Sequence, residues 1–381
     1  MKTATVIGAG PTGLNTAVRL KESGWDVQVL EEHPEVGRPV HCSGLISASG
    51  TEELGIDVSS ITLNEIFGAK IHSPSGVTLQ VERKQPVAHV TSRADFDKLF
   101  YKKAVKLDIP IEFNSKLINV NKQTVFFQKL NRGEITKSMY VIGADGVQSK
   151  TRELLGINVP RENFVHTYQE LCEGSFDPKF VEVFFGSFAK GLFAWIIPHS
   201  KKIAEYGIGV THGSINPEIA FSNFFRKEKG LELAPEEKDS SLIPVGPPLK
   251  EIVKDNVMLV GDAAFHAKAT TGGGLMLGIQ ASDICAQTLS SHMKNKTSLQ
   301  NYSKNMAQLN KELLMHWKIR EYMNSLPDND IDRLFEKAKK AGVENFLSNY
   351  GDMDKPSRFV GKILTTPSLW QFVPLALKFR A

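Results

Sequence analysis

At 381 residues, with 41% hydrophobic and 23% charged residues, the chain has the composition of a globular protein large enough for two or three packed units. Its net charge of +4 is spread along the chain, which leaves no footprint for nucleic acid and suits only a weak attraction to anionic lipid headgroups. The three cysteines, Cys42, Cys172 and Cys285, lie far apart without metal-ligand spacing, which argues against a disulfide framework and for a reducing, cytoplasmic setting, with no metal expected.

The chain opens almost directly on a strand, leaving no signal peptide, and no apolar run reaches the ~18 residues of a membrane span. Thr5-Val6-Ile7 leads into Gly8-Ala9-Gly10-Pro11-Thr12-Gly13-Leu14, and a helical pattern follows. In a strand–glycine loop–helix unit, Gly8 permits the tight turn, Gly10 the approach of a pyrophosphate, and Gly13 the close packing of helix on strand. The helix start then offers free N–H groups to the phosphates. A second strand, Trp25 to Leu30, ends at Glu31. An acid roughly 20 residues after the glycines is placed to grip a ribose 2′-hydroxyl, which favours FAD or NAD over NADP. The breaker-rich loop from His33 to Gly44 is expected near the bound cofactor.

Residues 67–90 alternate apolar and polar positions around Ser73-Pro74-Ser75-Gly76, as a hairpin does. Thr91 to Asp97 reads as a helix start, with the helix running through Ala104, and Ile111 to Gln128 reads as strands. Tyr140-Val141-Ile142-Gly143-Ala144-Asp145-Gly146 is an apolar strand ending in an acidic turn, where Asp145 either touches the cofactor or braces the fold. From about 160 to 250 strands recur without helices (Val181 to Phe185, Leu192 to Ile197, Ile203 to Val210), which predicts an antiparallel sheet. The glycines between Gly207 and Gly213 have the wrong spacing for a second dinucleotide loop and are read as strand. The nucleotide fold returns at Val257 to Ala264, with a helix from about Gly274 to Leu289, and the rest is mostly helical.

Val260-Gly261-Asp262-Ala263-Ala264 resembles the GD motif of flavin hydroxylases and their relatives, and Gly143 to Ser149 with Arg152 resembles their DG motif. Thr271-Gly272-Gly273-Gly274-Leu275 would bring a helix N-terminus to the flavin pyrimidine, favouring the anionic reduced form by ~0.5–2 kcal/mol. Together with the opening loop these motifs predict FAD.

The Cys42-Ser43-Gly44 loop after Arg38, the element Arg93-Ala94-Asp95-Phe96-Asp97, and Phe193-Ala194-Trp195-Ile196-Ile197-Pro198 resemble the archaeal geranylgeranyl reductases over most of the chain. The resemblance implies an FAD-dependent enzyme saturating isoprenoid double bonds of membrane ether lipids. It implies cofactor contacts at Thr12, Glu31, Cys42, Ser43, Arg93, Leu117, Asp262, Gly274 and Leu275, to which the glycine loop, the loop after Glu31 and the late glycine run add Gly8, Gly10, Gly13, Arg38, Gly44 and Gly273 as expected cofactor-binding positions. Cys42 is the candidate catalytic group beside the flavin, with ordered water as the competing proton source. Phe193, Trp195 and Pro198 are expected in the substrate pocket, with Phe184, Phe185 and Phe188 as further walls. The family's aromatic motif is matched here only at Trp195 and Pro198; Lys190, Phe193 and Ile197 depart from it, which opens the exact substrate to question.

The expected architecture is α/β with α+β. A discontinuous Rossmann-type FAD-binding unit (1–66, 91–159, 251–290) carries an antiparallel-sheet substrate unit (67–90, 160–250) and a helical C-terminal region (291–381). NAD(P)H or ferredoxin would supply electrons, the latter as a protein partner. The segment holding Leu369, Trp370, Phe372, Val373, Leu375, Leu377, Lys378 and Arg380 either touches a membrane surface or docks on the protein. Two alternatives keep the same fold. One is a flavin monooxygenase or halogenase, for which Lys70 or Lys84 would have to carry the halogenating species. The other is a flavoprotein that only carries electrons or binds prenyl lipid.

Overall fold

The strand Thr3–Ile7 lies inside a six-stranded sheet ordered Val253–Lys254, Val257–Leu259, Tyr140–Gly143, Thr3–Ile7, Asp26–Leu30, Ile111–Glu112. All neighbours are parallel except the Val253–Lys254 edge. Val6, Val29 and Ile142 are fully buried, because helices cover the sheet and its central strands must be apolar on both faces. The computed structural model describes residues 2–379. Arg380, expected at a membrane surface, lies outside the described residues.

Three strand ends converge. Gly8 N–H donates to Leu30 O at 2.8 Å, Ala144 N–H to Ile7 O at 2.9 Å, and Val260 N–H to Gly143 O at 2.9 Å. The glycine loop, the acidic turn and the late Gly-Asp turn are therefore neighbours at the carboxyl ends of the parallel strands, where open α/β sheets take ligands.

A seven-stranded sheet runs Pro235–Pro244, Phe164–Glu173, Ile203–Thr211, Gly191–Pro198, Phe180–Phe184, Gly68–His72, Thr78–Glu82. It is antiparallel except where Phe180–Phe184 pairs in parallel with Gly68–His72. Its far face is sealed by the segment Pro217–Glu228, whose Phe221, Phe224 and Phe225 pack on Tyr168, Ala194, Tyr206 and Ile208. Its inner face carries Val165, Leu192, Trp195 and Ile197, packed with Ala269, Trp317 and Met353.

Phe184 and Phe188, expected to line a substrate pocket with Trp195, are on the far face instead. Phe188 stacks on Phe224 with ring centroids 4.0 Å apart, and Phe184 meets Phe224 at 5.5 Å. Residues alternate faces along a strand, so a run of aromatics is divided between two cores. Phe185 and Phe193 remain together, with centroids 5.7 Å apart.

The hairpin of residues 68–82 joins the large sheet, whereas Ala88–Thr91 pairs with Leu45–Ser47 and Thr62–Ile66 in a separate small sheet. The residues after 295 form helices, including Ala307–Ser325 and Asp328–Lys340. Near the C-terminus Leu369 and Ala376 are buried and Phe372 packs against the Leu79 cluster, while Trp370 is 60% and Leu377 50% exposed. No helix among the described residues is long and apolar enough to cross a membrane.

Candidate flavin site

The helix Pro11–Glu22 starts at Gly10, with Pro11 preset for its first turn. A Cβ on Gly13 would lie 2.1 Å from Gly8 O, so only glycine lets the helix approach the strand this closely. A Cβ on Gly10 would meet nothing within 4 Å, which leaves open space over the helix start where a pyrophosphate belongs. Glu31 is buried and folds back on this loop. Its Oε2 accepts from Ala9 N–H at 2.6 Å and its Oε1 from His33 N–H at 3.0 Å, with His33 Nδ1 at 2.7 Å. A carboxylate accepts about four hydrogen bonds, so Glu31 can brace the loop and still receive a ribose hydroxyl.

Thr12 reaches the far end of the cleft, since a Cβ on Gly278 would sit 2.7 Å from its Oγ1 and one on Gly261 3.0 Å from its Cγ2. Asp262 follows Gly261, and a Cβ on Gly274 would fall 2.7 Å from its Oδ1, so glycine is what lets the Leu275–Asn295 helix start beside this carboxyl. Burial pushes the Asp262 carboxyl upward against the pull of Arg93 and Arg152. The turn is closed by Phe265, held at a left-handed φ of 62° and donating its N–H to Asp262 O at 3.1 Å. Arg152 spans both motifs, donating to Val147 O at 2.7 Å and Ala263 O at 3.3 Å.

Arg93 begins the helix Arg93–Lys106, capped by Ser92. Its guanidinium pairs with Asp97 and lies within electrostatic reach of Cys42 and Asp262. Burial lowers its pKa against those partners, and its Nε–H is buried without an acceptor. Cys42, Arg93 and Asp262, which are remote in sequence, thus meet at one place. The open space at Gly10, the unpaired Arg93 donor and the Asp262 carboxyl at the glycine turn fit a long dinucleotide lying from Glu31 to Gly274.

The remaining candidates are less directly placed. Ser43 is half-buried beside Cys42, and Gly44 N–H lies 3.4 Å from Cys42 Sγ. Gly44 itself serves packing, since a Cβ there would strike Thr91 O at 2.1 Å. Arg38 is exposed. Gly273 closes the preceding loop by accepting from Lys268 N–H at 3.0 Å, and Leu275 packs partly against the main core. The Leu117 side chain is turned into a core with Ile7, Leu30 and Phe127, so only its backbone could face a ligand. Asp145 is committed to the fold: Oδ1 accepts from Ser149 Oγ at 2.6 Å and Oδ2 from Thr151 N–H at 2.8 Å.

On the inner sheet face the Trp195 indole lies over Gly207, where a Cβ would come within 2.1 Å of the ring. Trp195 Nε1–H donates to Glu205 Oε1 at 2.9 Å. Burial pushes this carboxyl up to about 8. Pro198 is buried, and its carbonyl accepts from Asn64 Nδ2 at 2.8 Å. Both flavin-side loops touch this face: His41 Nδ1 lies 2.7 Å from Asp239 Oδ1, and a Cβ on Gly272 would lie 3.0 Å from Ile243. Glu205 and Lys268 were not singled out by the sequence, where a lone charged residue carries no motif.

Residues 1–210 match the family model described as FAD binding domain. The chain is 28% identical to a digeranylgeranylglycerophospholipid reductase of Methanococcus vannielii over 391 aligned positions, 96% of each chain. It is 27% identical to the enzyme of that name from Methanothrix thermoacetophila, covering 89% of this chain and 91% of the other. Among solved structures, a geranylgeranyl bacteriochlorophyll reductase-like protein of Thermoplasma acidophilum superimposes with a TM-score of 0.84 at 22% identity, covering 99% of this chain and 100% of that one. A flavin-dependent brominase superimposes with a TM-score of 0.71 at 15% identity, covering 98% and 99%. At these identities the structural likenesses speak for the fold alone. The chain belongs to the FAD binding domain family, as an FAD-dependent oxidoreductase similar over most of its length to digeranylgeranylglycerophospholipid reductases.

Proposed function

We propose that this chain uses FAD to saturate isoprenoid double bonds of geranylgeranyl ether lipids. The observation that carries the reading is the extent of the match to the Methanococcus vannielii reductase, 96% of both chains, which takes in the seven-stranded sheet as well as the six-stranded one. Bound FAD, once reduced, supplies a hydride to one alkene carbon. An isolated alkene is not polarised, so the protein's part is to hold the chain against the ring, exclude water and deliver a proton to the second carbon. Phe193 and Trp195, with Trp317 and Met353 from the C-terminal region, offer the apolar wall. Cys42 is the proposed proton donor. The Arg93 guanidinium lies beside it, and water would restore the proton. The electrons come from NAD(P)H or ferredoxin, and contact with a membrane surface would run through Trp370 and Leu377.

The halogenase reading finds less support. Lys70 lies over the Phe180 ring at 5.1 Å and 4.0 Å from Asp177, and Lys84 is exposed.

The test is turnover with a chemical reductant in the absence of oxygen. A reductase adds two hydrogens per double bond, read by mass spectrometry of the lipid. A monooxygenase or halogenase leaves the lipid unchanged until oxygen is admitted, and a non-catalytic flavoprotein leaves it unchanged throughout. A positioned acid contributes about 10²–10⁴-fold. Cys42→Ala should therefore slow saturation by about that factor, and an unchanged rate would assign the proton to water.

A further inference from the structure

Three consecutive residues in the loop before the Leu275–Asn295 helix are each gripped by the C-terminal region. Lys268 Nζ donates to Asp354 Oδ1 at 2.5 Å. Arg320 donates to Ala269 O at 3.0 Å. Thr270 Oγ1 lies 2.7 Å from His316 Nδ1. Lys268, Asp354, His316 and Arg320 are all buried. His316 also faces the Asp354 carbonyl through Nε2 at 3.2 Å, so the grips form one cluster. None of these residues belongs to a flavin motif.

The charges inside this cluster lie against the helix start. A Cβ on Gly273 would lie 3.1 Å from Lys268 Cε and 3.4 Å from its Nζ. Asp354 lies behind the lysine, wedged against Gly50, where a Cβ would come 2.9 Å from its Oδ2. The glycine turn thus has a buried cation beside it and a buried anion one contact further away. Two-electron reduction places negative charge on the flavin pyrimidine, and fixed charges in a dry site act strongly on such a change.

We infer that the Lys268–Asp354 pair sets the reduction potential of the bound flavin, with Asp354, Arg320 and His316 as positioning residues supplied by the C-terminal helices. The inference rests on FAD lying against Gly273 and Gly274 and is independent of the lipid substrate. The C-terminal region is then a part of the redox centre and not an appendage to it.

Two near-isosteric variants separate this role from mere bracing. The potential of the FAD-loaded protein is measured against a reference dye for wild type, Asp354→Asn and Lys268→Met. Removing the anion leaves the cation unopposed and should raise the potential; removing the nearer cation should lower it. Asp354→Glu should return the potential toward the wild-type value. If a variant holds FAD weakly, the ratio of its dissociation constants for oxidised and reduced FAD, measured at raised FAD concentration, gives the same sign by linkage. Shifts in the same direction, or no shift in either variant, would overturn the proposal. A wild-type protein that takes up no FAD would instead remove the flavin assignment itself.

Discussion

The two faces of the seven-stranded sheet are closed by opposite means. The far face is covered by one contiguous segment, Pro217–Glu228, which supplies three phenylalanines to an aromatic cluster. The inner face is covered from a distance, by Ala269, Trp317 and Met353, and beneath that cover it carries Gly207, Gly209 and the carboxyl of Glu205. A face built for stability fills its surface with large apolar groups. One that keeps glycines under an indole and buries an acid without a cation gives up stability, which is the pattern expected at a working surface.

The largest effect expected on this comparison concerns Glu205. Its carboxyl holds its proton to about pH 8 in the folded protein, against an ordinary value of 4.5. Between those values the unfolded chain releases a proton that the folded chain keeps, so stability falls as pH rises, by ~5 kcal/mol at most. Glu205→Gln should remove that slope, and denaturant unfolding of both proteins at pH 5 and pH 8 checks it. Equal slopes would mean that the acid is solvated and the inner face is less dry than described. Next in size is Phe224→Ala on the far face, which should cost about 3–5 kcal/mol while flavin content and lipid turnover per folded molecule stay unchanged. Loss of turnover without loss of stability would reverse the roles of the two faces.

Asp145→Ala removes the acceptor of the Ser149 and Thr151 bonds and should cost about 0.5–2 kcal/mol, as lost caps do. Its FAD affinity should stay near that of wild type, read by flavin fluorescence titration. The smallest effect belongs to His41. The Asp239 hydrogen bond raises its pKa, so its stabilisation is present at low pH and fades as pH rises through the raised value. The ring is half-exposed, so His41→Ala should cost only about 0.2–1 kcal/mol at pH 5 and less at pH 8.

Legibility followed the range of the interactions. The glycine loop, Glu31 and the Asp262 turn are local geometry written in consecutive residues, and the sequence located them. Cys42 and Arg93 could be named from resemblance, but their meeting with Asp262 depends on three strand ends lying side by side. The division of Phe184 and Phe188 from Phe193 and Trp195 was not legible, because facing depends on register and on the irregularity between Gly191 and Ala194. Leu117 shows the same limit, since its strand position is visible and its inward turn is not. The grip on residues 268–270 joins positions up to 86 apart through single hydrogen bonds, which leave no periodic trace.

The proposed function puts the reactive chain on the inner face. The far face has a rival, a cavity of about 340 Å³ lined by Ser187, Phe188, Lys190 and Ile215 among others. A prenyl lipid analogue carrying a photoreactive group on its tail decides between them when crosslinked peptides are mapped by mass spectrometry. Labelling of peptides containing Phe193, Trp195 or Met353 is the predicted result. Labelling confined to Phe188, Lys190 and Ile215 would contradict it.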